Sequence, residues 1–201
     1  MKLLTITGYK GGTGKSTSAI HIAAYFADRG KTILIDGDPN RTALKWSERG
    51  QSLPFTVADE RNAMRQINGH DFAIIDTQAR PDSDDLKELA KGCDLLILPT
   101  APDVLGLEPM LETARDLGSA ANFRALITIV PPYPSKEGET MQADLREAQV
   151  PVFDVMIRRT ANYQKSALQG KIIRDLEDSR AKTAWKDYEL LGQEIERIIN
   201  K

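Results

Sequence analysis

Residues 9–17 have the types and spacing needed to bind a phosphate group. Glycines at 11, 12 and 14 let successive backbone N–H groups point at one anion without interference from side chains. The apolar run 3–7 predicts a buried strand before this loop, and helical spacing from residue 20 onward predicts a helix that begins near Lys15. The free N–H groups and positive dipole end of that helix favour an anion. Lys15 offers a charge for the β- and γ-phosphates, and the Ser16 hydroxyl suits Mg²⁺. An unliganded glycine-rich hairpin is the alternative, and the strand–loop–helix context argues against it.

A second lysine, Lys10, precedes the glycine pair, and Tyr9 stands where the common phosphate loop has its first glycine. The sequence K-G-G-x-G-K-S resembles the deviant Walker A box of the ParA/MinD family of ATPases. The resemblance implies that ATP and Mg²⁺ are bound here, with catalytic roles for Lys10 and Lys15. It also implies that Lys10 reaches across a nucleotide-sandwich homodimer to the partner's ATP, where its charge acts in trans. A solvated loop lysine is the alternative. The expected ATP contacts in this loop are Lys10, Gly11, Gly12, Thr13, Gly14, Lys15, Ser16 and Thr17.

Acidic residues follow the apolar runs 32–35 and 72–75, and the stretches 32–35 and 71–77 each predict a buried strand. Open α/β sheets bind ligands at the carboxyl ends of their strands, where these acids stand. Asp36-Gly37-Asp38-Pro39-Asn40 resembles the Walker A′ segment of the same family, which implies that Asp38 orients the attacking water. Asp36 would then lie near the Mg²⁺ or support the loop, and Asp76 resembles a Walker B acid that reaches Mg²⁺ through water. The predicted metal-site residues are therefore Ser16, Asp36 and Asp76. Aspartates in turns are the alternative.

The run 125–130 predicts a strand that must leave the sheet at Pro131, because prolines cannot continue a hydrogen-bonded ladder. In the ParA/MinD family this position lies beside the adenine base. The resemblance therefore implies adenine contacts from Pro131 and Tyr133. Tyr133 could instead form a lid over the core, and the sequence leaves both interpretations open.

Basic residues cluster in the last quarter of the chain although the whole chain is slightly acidic. The segment from residue 157 to 174 resembles a family segment through which relatives bind DNA without sequence preference, by neutralising phosphates. The alternative is a set of solvated helix faces with one or two local ion pairs. The predicted DNA-binding residues are Arg158, Arg159, Lys165, Lys171 and Arg174.

The rest of the chain alternates between strand-like and helix-like apolar patterns. Further strands are predicted at 55–58, 95–99 and 152–157, and further helices at 42–49, 59–68, 83–91, 108–119, 138–148 and 181–200. This alternation predicts an α/β fold with a single doubly wound, mostly parallel sheet and helices on both faces. The resemblance identifies it as a P-loop NTPase fold. No linker or repeat divides the chain, so we expect one domain over 1–201.

Composition excludes several classes of protein. The chain has 201 residues, of which 41% are hydrophobic and 28% charged, with a net charge of −2, which is ordinary for a soluble domain. No apolar run approaches the roughly 18–20 residues of a membrane span. The single cysteine, Cys93, excludes internal disulfides, and a symmetric dimer would offer only two thiolates to an iron–sulfur cluster that needs four. The final helix carries acids and few cations, which argues against membrane binding. We expect a cytoplasmic protein.

The resemblance covers nearly the whole chain and implies an ATP-dependent dimer that positions a plasmid, a chromosome or a carboxysome-like compartment. It implies nucleoid DNA as the matrix, and a ParB-like or cargo-adaptor protein that stimulates a slow ATPase. The alternative is a metabolic ligase of the dethiobiotin synthetase or cobyrinic acid amidation type, which would share the loop but would not need Lys10 or the basic cluster. A non-hydrolysing binding module is a third class, and the combination of Lys15, Ser16, Asp38 and Asp76 argues against it.

Overall fold

A six-stranded sheet forms the centre of the protein. The computed structural model describes residues 1–50, 53–79, 81–118 and 121–200. The strands are β1 (Lys2–Gly8), β2 (Thr32–Gly37), β3 (Thr56–Asp59), β4 (Phe72–Ala79), β5 (Leu95–Thr100) and β6 (Phe123–Ile127). Their order is β3-β2-β4-β1-β5-β6, and every neighbouring pair is parallel. Since β1 lies inside the sheet, the loop that follows it stands near the middle of the carboxyl edge.

Helices cover both faces of the sheet. They are α1 (Lys15–Ala27), α2 (Thr42–Glu48), α3 (Glu60–Gln66), α4 (Ser83–Lys91), α5 (Val104–Leu117), α6 (Glu137–Glu147), α7 (Asn162–Gln169) and α8 (Ser179–Ile199), with a 3₁₀ turn at Ile173–Asp175. Successive side chains of β5 show the two layers: Leu95 and Ile97 join the core under α1, α2 and α8, whereas Leu96 and Leu98 join the core under α4, α5 and α6. The predicted fold class, a doubly wound parallel sheet with helices on both faces, is confirmed.

The predicted strand at 152–157 is wrong. Among the described residues, isolated bridges connect this part of the chain to the sheet edge, from Val152 to Ala125 and from Arg158 to Val130. Between them, the Phe153 and Ile157 N–H groups donate to the β6 carbonyl oxygens of Ala125 and Ile127. Side chains bind the backbone between them: the Gln142 amide donates to the carbonyl oxygens of Phe153 and Asp154 at 2.8 and 3.1 Å. The Glu194 carboxylate accepts from the N–H groups of Asp154 and Val155. Side chains of α6 and α8 thus bind the backbone groups between the two bridges, and the pairing with β6 does not become a continuous ladder.

Several boundaries also differ from the predictions. β6 spans Phe123–Ile127 rather than 125–130, and Ile129 has a φ of 56°, which a strand cannot accommodate. α5 begins at Val104 rather than 108, and residue 119 of the predicted helix lies outside the described residues. α8 begins at Ser179 because the Asp178 carboxylate accepts from the Arg180 N–H at 2.7 Å. Among the described residues, no helix is both long and apolar enough to span a membrane.

Candidate nucleotide-binding site

A cavity of about 540 Å³ opens at the carboxyl edge of the sheet, between the glycine loop and the C-terminal helices. Three stretches of chain supply most of its wall. They are the glycine loop with the start of α1 (Gly11, Gly12, Gly14, Lys15, Ser16, Thr17), the β2–α2 loop with the first residue of α2 (Asp38, Asn40, Thr42), and residues 157–160 with the first turn of α7 (Ile157, Arg158, Arg159, Thr160, Tyr163, Gln164). The structure therefore brings the predicted phosphate loop and Asp38 to one cavity.

The loop backbone keeps its donors free. Gly12 and Gly14 have φ of 79° and 80°, in the left-handed region that side chains disfavour. Gly14 is the N-cap of α1, and no side chain caps the helix. A Cβ added at Gly11 or Gly12 would have no atom within 4 Å, so both backbones face open space. An anion can therefore approach the N-terminal N–H groups of α1 directly.

Lys15 is buried and is bonded to its own loop. Its Nζ donates to the Lys10 carbonyl oxygen at 3.1 Å. Burial lowers the pKa of Lys15, while the nearby Asp76 and Asp38 carboxylates act to raise it. A bound phosphate would replace the carbonyl as the partner of this ammonium and would compensate its desolvation more fully.

Asp36 and Asp76 lie opposite each other in the β2–β4 register, and both side chains are buried. Asp36 is fully engaged: one oxygen accepts from the Asp38 N–H at 3.1 Å and the other from the Leu44 N–H at 2.9 Å. Neither oxygen of Asp76 has a well-aligned hydrogen bond to a described residue. Burial raises the pKa of Asp76 to about 7, and the nearby Ser16 hydroxyl opposes that rise.

These residues fit a magnesium ion. A buried carboxylate without partners needs a cation or a proton, and Asp76 stands beside the Ser16 hydroxyl and Lys15. The described residues contain no group of three His, Cys, Asp or Glu side chains that could bind a metal by themselves. Mg²⁺ is usually held by one or two carboxylates together with phosphate oxygens. Of the two interpretations of Asp36, the geometry favours support of the loop.

Asp38 lines the cavity beside the glycine loop and accepts from the Asn40 N–H at 2.7 Å. Lys10 and Thr13 do not line the cavity. The Lys10 ammonium lies 3.1 and 3.3 Å from the two carboxylate oxygens of Asp103, and the Thr13 hydroxyl donates to the Lys10 carbonyl at 3.3 Å. This placement leaves the Lys10 side chain outside its own cavity, as the trans role requires; that role stays a prediction.

Pro131 and Tyr133 do not line the cavity. The Tyr133 side chain is 93% exposed, so the interpretation as a lid over the core is wrong. The chain turns away from the sheet at Ile129, and residues 157–160 occupy the wall that 131–133 were expected to form. Adenine contact by Pro131 or Tyr133 therefore has no support in the cavity geometry.

The predicted DNA-binding residues do not form one free cationic patch. Arg158 makes a two-pronged ion pair with Asp187, with both N···O distances at 2.7 Å. Arg174 pairs with Asp28. Lys165 lies 4.0 Å from a carboxylate oxygen of Asp178, and Arg158 and Arg159 both line the nucleotide cavity. Lys171 is exposed. Local ion pairs, the alternative considered from the sequence, therefore account for three of these five residues.

The sequence predictions missed residues that support the loop from below. The Thr128 hydroxyl lies 2.7 Å from the Thr13 carbonyl oxygen and 3.1 Å from that of Thr100, so it joins the loop to the ends of β5 and β6. Tyr188, on α8, lies 3.2 Å from the Ser18 hydroxyl. Thr128 lies within the predicted strand 125–130 but just after the observed β6, so its predicted position did not indicate the first contact, and nothing local indicated the second.

A buried histidine joins the start of α1 to the C-terminal elements. His21 is fully buried, and burial lowers its pKa to about 4, so it is neutral. Its Nε2 accepts from the Ile173 N–H at 3.1 Å, and Nδ1 therefore carries the proton and donates to the Thr17 carbonyl at 2.7 Å. The aromatic rings around it are those of Trp46, Tyr163, Trp185 and Tyr188. The helix that follows the phosphate loop is thus fixed to α2, α7 and α8.

Comparison with known proteins gives a consistent result. Residues 4–173 match the family described as the CobQ/CobB/MinD/ParA nucleotide-binding domain. The chain is 33% identical to the maintenance of carboxysome distribution protein A of Gloeobacter kilaueensis, over 100% of this chain and 96% of that protein. It is 26% identical to the protein of the same name from Halothiobacillus neapolitanus, over 98% and 94%.

A solved structure shares the fold. An apo McdA structure from Cyanothece superposes with a TM-score of 0.72 at 17% identity and covers 95% of this chain and 99% of that one. At this identity the likeness concerns the fold alone.

Proposed function

We propose a function for this chain, which belongs to the CobQ/CobB/MinD/ParA family of nucleotide-binding domains. It is an ATPase that dimerises around ATP and positions an intracellular cargo. The observation that carries the proposal is that one sheet edge brings together the glycine loop, Asp38 and the buried Asp76, whose oxygens have no well-aligned hydrogen bond to a described residue. A ligand that combines phosphate with a cation suits both the free N–H groups and the ionised form of the buried carboxylate.

The residues of the phosphate loop and the nearby acids have separate roles in this function. The N–H groups of 11–16 and the Lys15 ammonium bind the phosphates. Ser16 and Asp76 hold Mg²⁺, which neutralises charge on the phosphate oxygens. Asp38 orients the attacking water, and Asp36 fixes the loop that carries Asp38. Lys10 stabilises phosphate charge in the partner's site.

The names of the relatives support the choice of cargo. Two proteins that match almost the whole chain are named for carboxysome distribution, so we propose a protein compartment as the cargo in preference to a plasmid or chromosome. Hydrolysis is slow in the isolated protein, and a ParB-like or cargo-adaptor protein stimulates it. The protein acts in the cytoplasm, on nucleoid DNA.

Nucleotide assays on three variants test the enzyme. Lys15→Ala should weaken ATP binding, because it removes the charge that faces the phosphates. Asp38→Ala should keep binding of ATP and Mg²⁺ while turnover falls about 100-fold, the usual range for loss of a positioned general base. Lys10→Ala should keep ATP binding but lose ATP-dependent dimers in sedimentation. Wild-type turnover in Asp38→Ala, or normal dimers in Lys10→Ala, would remove that residue from its role.

The same assay separates this function from the ligase alternative. A ligase needs a carboxylic acid substrate before ATP is consumed, whereas the proposed ATPase hydrolyses ATP in water alone. The reaction is therefore run with purified protein, ATP and Mg²⁺ only. If the wild type releases phosphate and Asp38→Ala does not, the ATPase is supported. If the wild type releases no phosphate at any protein concentration, the ligase is favoured.

DNA binding requires a test that leaves the nucleotide cavity intact. Arg158 and Arg159 line that cavity, so their substitution would confuse the two functions. Lys165→Glu with Lys171→Glu removes exposed cations away from it. Binding of random duplex DNA should appear with ATP, fade with ADP, weaken steeply with salt and fall in this double variant. Equal binding with ADP and ATP, or none with either, would exclude the DNA matrix while leaving the ATPase proposal in place.

A further inference from the structure

Asp103 differs from the other aspartates that begin helices in this protein. Asp59, Asp82 and Asp178 stand at N-cap positions, and each carboxylate accepts from an N–H of the first helical turn. Asp103 is the N-cap of α5, yet its side chain makes no cap hydrogen bond. Both of its oxygens face the Lys10 ammonium instead, at 3.1 and 3.3 Å. The Asp103 carboxylate therefore binds the lysine instead of capping the helix that it precedes.

Backbone contacts fix both ends of this ion pair. The Lys10 carbonyl accepts from the Lys15 ammonium at 3.1 Å and from the Thr13 hydroxyl at 3.3 Å, which anchors the start of the lysine side chain. On the other side, a Cβ at Gly106 would lie 2.7 Å from the Ala101 carbonyl oxygen and 3.2 Å from an Asp103 oxygen. Only a glycine allows the first turn of α5 to approach the loop before it so closely.

We propose that Asp103 is a positioning residue that holds Lys10 within its own protomer and so sets the protein concentration at which ATP can assemble the dimer. The proposal rests on the trans role of Lys10 described above. Lys10 has to leave Asp103 before it can reach the partner's phosphate, and two such pairs break for each dimer formed. ATP itself weakens the anchor, since the phosphate that attracts Lys15 removes that ammonium from the Lys10 carbonyl.

The expected size of the effect follows from the exposure of the pair. The Lys10 and Asp103 side chains are 43% and 47% exposed, and an ion pair of this kind changes an equilibrium by about 1.4- to 5-fold. Over two protomers the change is about 2- to 30-fold. Because water and salt reach the pair, its influence should fade as ionic strength rises.

Asp103→Asn tests the inference. Asparagine is as good an N-cap as aspartate, so α5 is preserved while the charge that holds Lys10 is lost. With a non-hydrolysable ATP analogue, the dimer dissociation constant from sedimentation equilibrium should fall by about 2- to 30-fold at low salt. The difference from wild type should shrink at about 0.5 M salt. The affinity of the monomer for ATP, measured at dilution, should not change.

Three further variants identify the cause. Asp103→Glu keeps the charge and should dimerise like the wild type. Glu147→Gln removes the same charge from an exposed residue that pairs with none of the described residues, and it should have no effect. In a Lys10→Ala background, Asp103→Asn should not restore the dimers that Lys10→Ala loses, because its effect requires the lysine. Unchanged or weaker dimerisation in Asp103→Asn, or an equal gain from Glu147→Gln, overturns the inference. If Lys10→Ala itself dimerises normally, the trans-lysine function fails instead.

Discussion

The ends of β2 and β4 carry two buried carboxylates in the same register, and the protein treats them in opposite ways. Asp36 receives a backbone N–H on each oxygen, from Asp38 and Leu44. Asp76, its neighbour across the strand pair, has no such partner among the described residues, and its pKa rises to about 7. Hydrogen bonds within the fold compensate the first carboxylate, whereas the ionised form of the second has a desolvation cost that a bound cation can offset.

This difference distinguishes a buried acid that stabilises the fold from a buried acid that is available to a ligand. Both residues end apolar strands, and both are fully buried, so burial alone does not distinguish them. Their hydrogen bonds distinguish them. A buried carboxylate with hydrogen-bond donors stabilises the fold, whereas an ionised one without them destabilises it unless a cation is bound. Three measurements test whether the two acids differ in this way.

Asp76→Asn should stabilise the ligand-free protein. The folded-state pKa of about 7 lies above the ordinary value of 3.8, so the native state binds the extra proton and stability falls as pH rises between these values. The loss approaches about 4 kcal/mol above pH 7. Urea unfolding in EDTA should show that Asp76→Asn lacks this decline and is the more stable protein at pH 7.5. A parallel pH dependence in wild type and variant would mean that Asp76 is already compensated.

Asp36→Ala should have the opposite effect, a loss of about 3 kcal/mol at pH 7. The change removes the acceptor of two partly buried N–H groups, those of Asp38 and Leu44. Asp36→Asn is the matched variant: it retains one carbonyl oxygen and should lose roughly half as much. The same unfolding titration measures both. If Asp36→Ala is as stable as the wild type, the two carboxylates do not differ in the manner described.

Magnesium and nucleotide should reduce the contrast between the two acids. A non-hydrolysed Mg²⁺–ATP complex at a hundred times its Kd should stabilise the wild type by about 2.7 kcal/mol. The part that depends on Mg²⁺ should be larger at pH 8 than at pH 5.5, because the metal needs the ionised form of Asp76. Thermal unfolding with ATP alone, with Mg²⁺–ATP and after EDTA gives that increment. Asp76→Asn should lose it, and an undiminished increment there would place the ion elsewhere.

The sequence by itself determined the parts of this protein that are local. The phosphate loop is one contiguous stretch, its glycines meet a backbone requirement, and the strand before it and helix after it are visible as apolar patterns. The acids at 36, 38 and 76 were found because parallel strands end at one edge. Periodicity also located α8, whose residues Trp185, Tyr188 and Leu191 are buried as its apolar spacing predicted.

Only the tertiary structure decided what each polar group binds. Lys10 and Asp103, or Arg158 and Asp187, are far apart in sequence, and no local pattern pairs them. The segment 152–157 has the pattern of a strand, but side chains from α6 and α8 bind the backbone of its middle residues, so its pairing with β6 stays interrupted. The contrast between Asp36 and Asp76 has the same origin. The hydrogen-bond partners of a buried group come from the elements that pack against it, and the spacing of residues along the chain does not specify which elements those are.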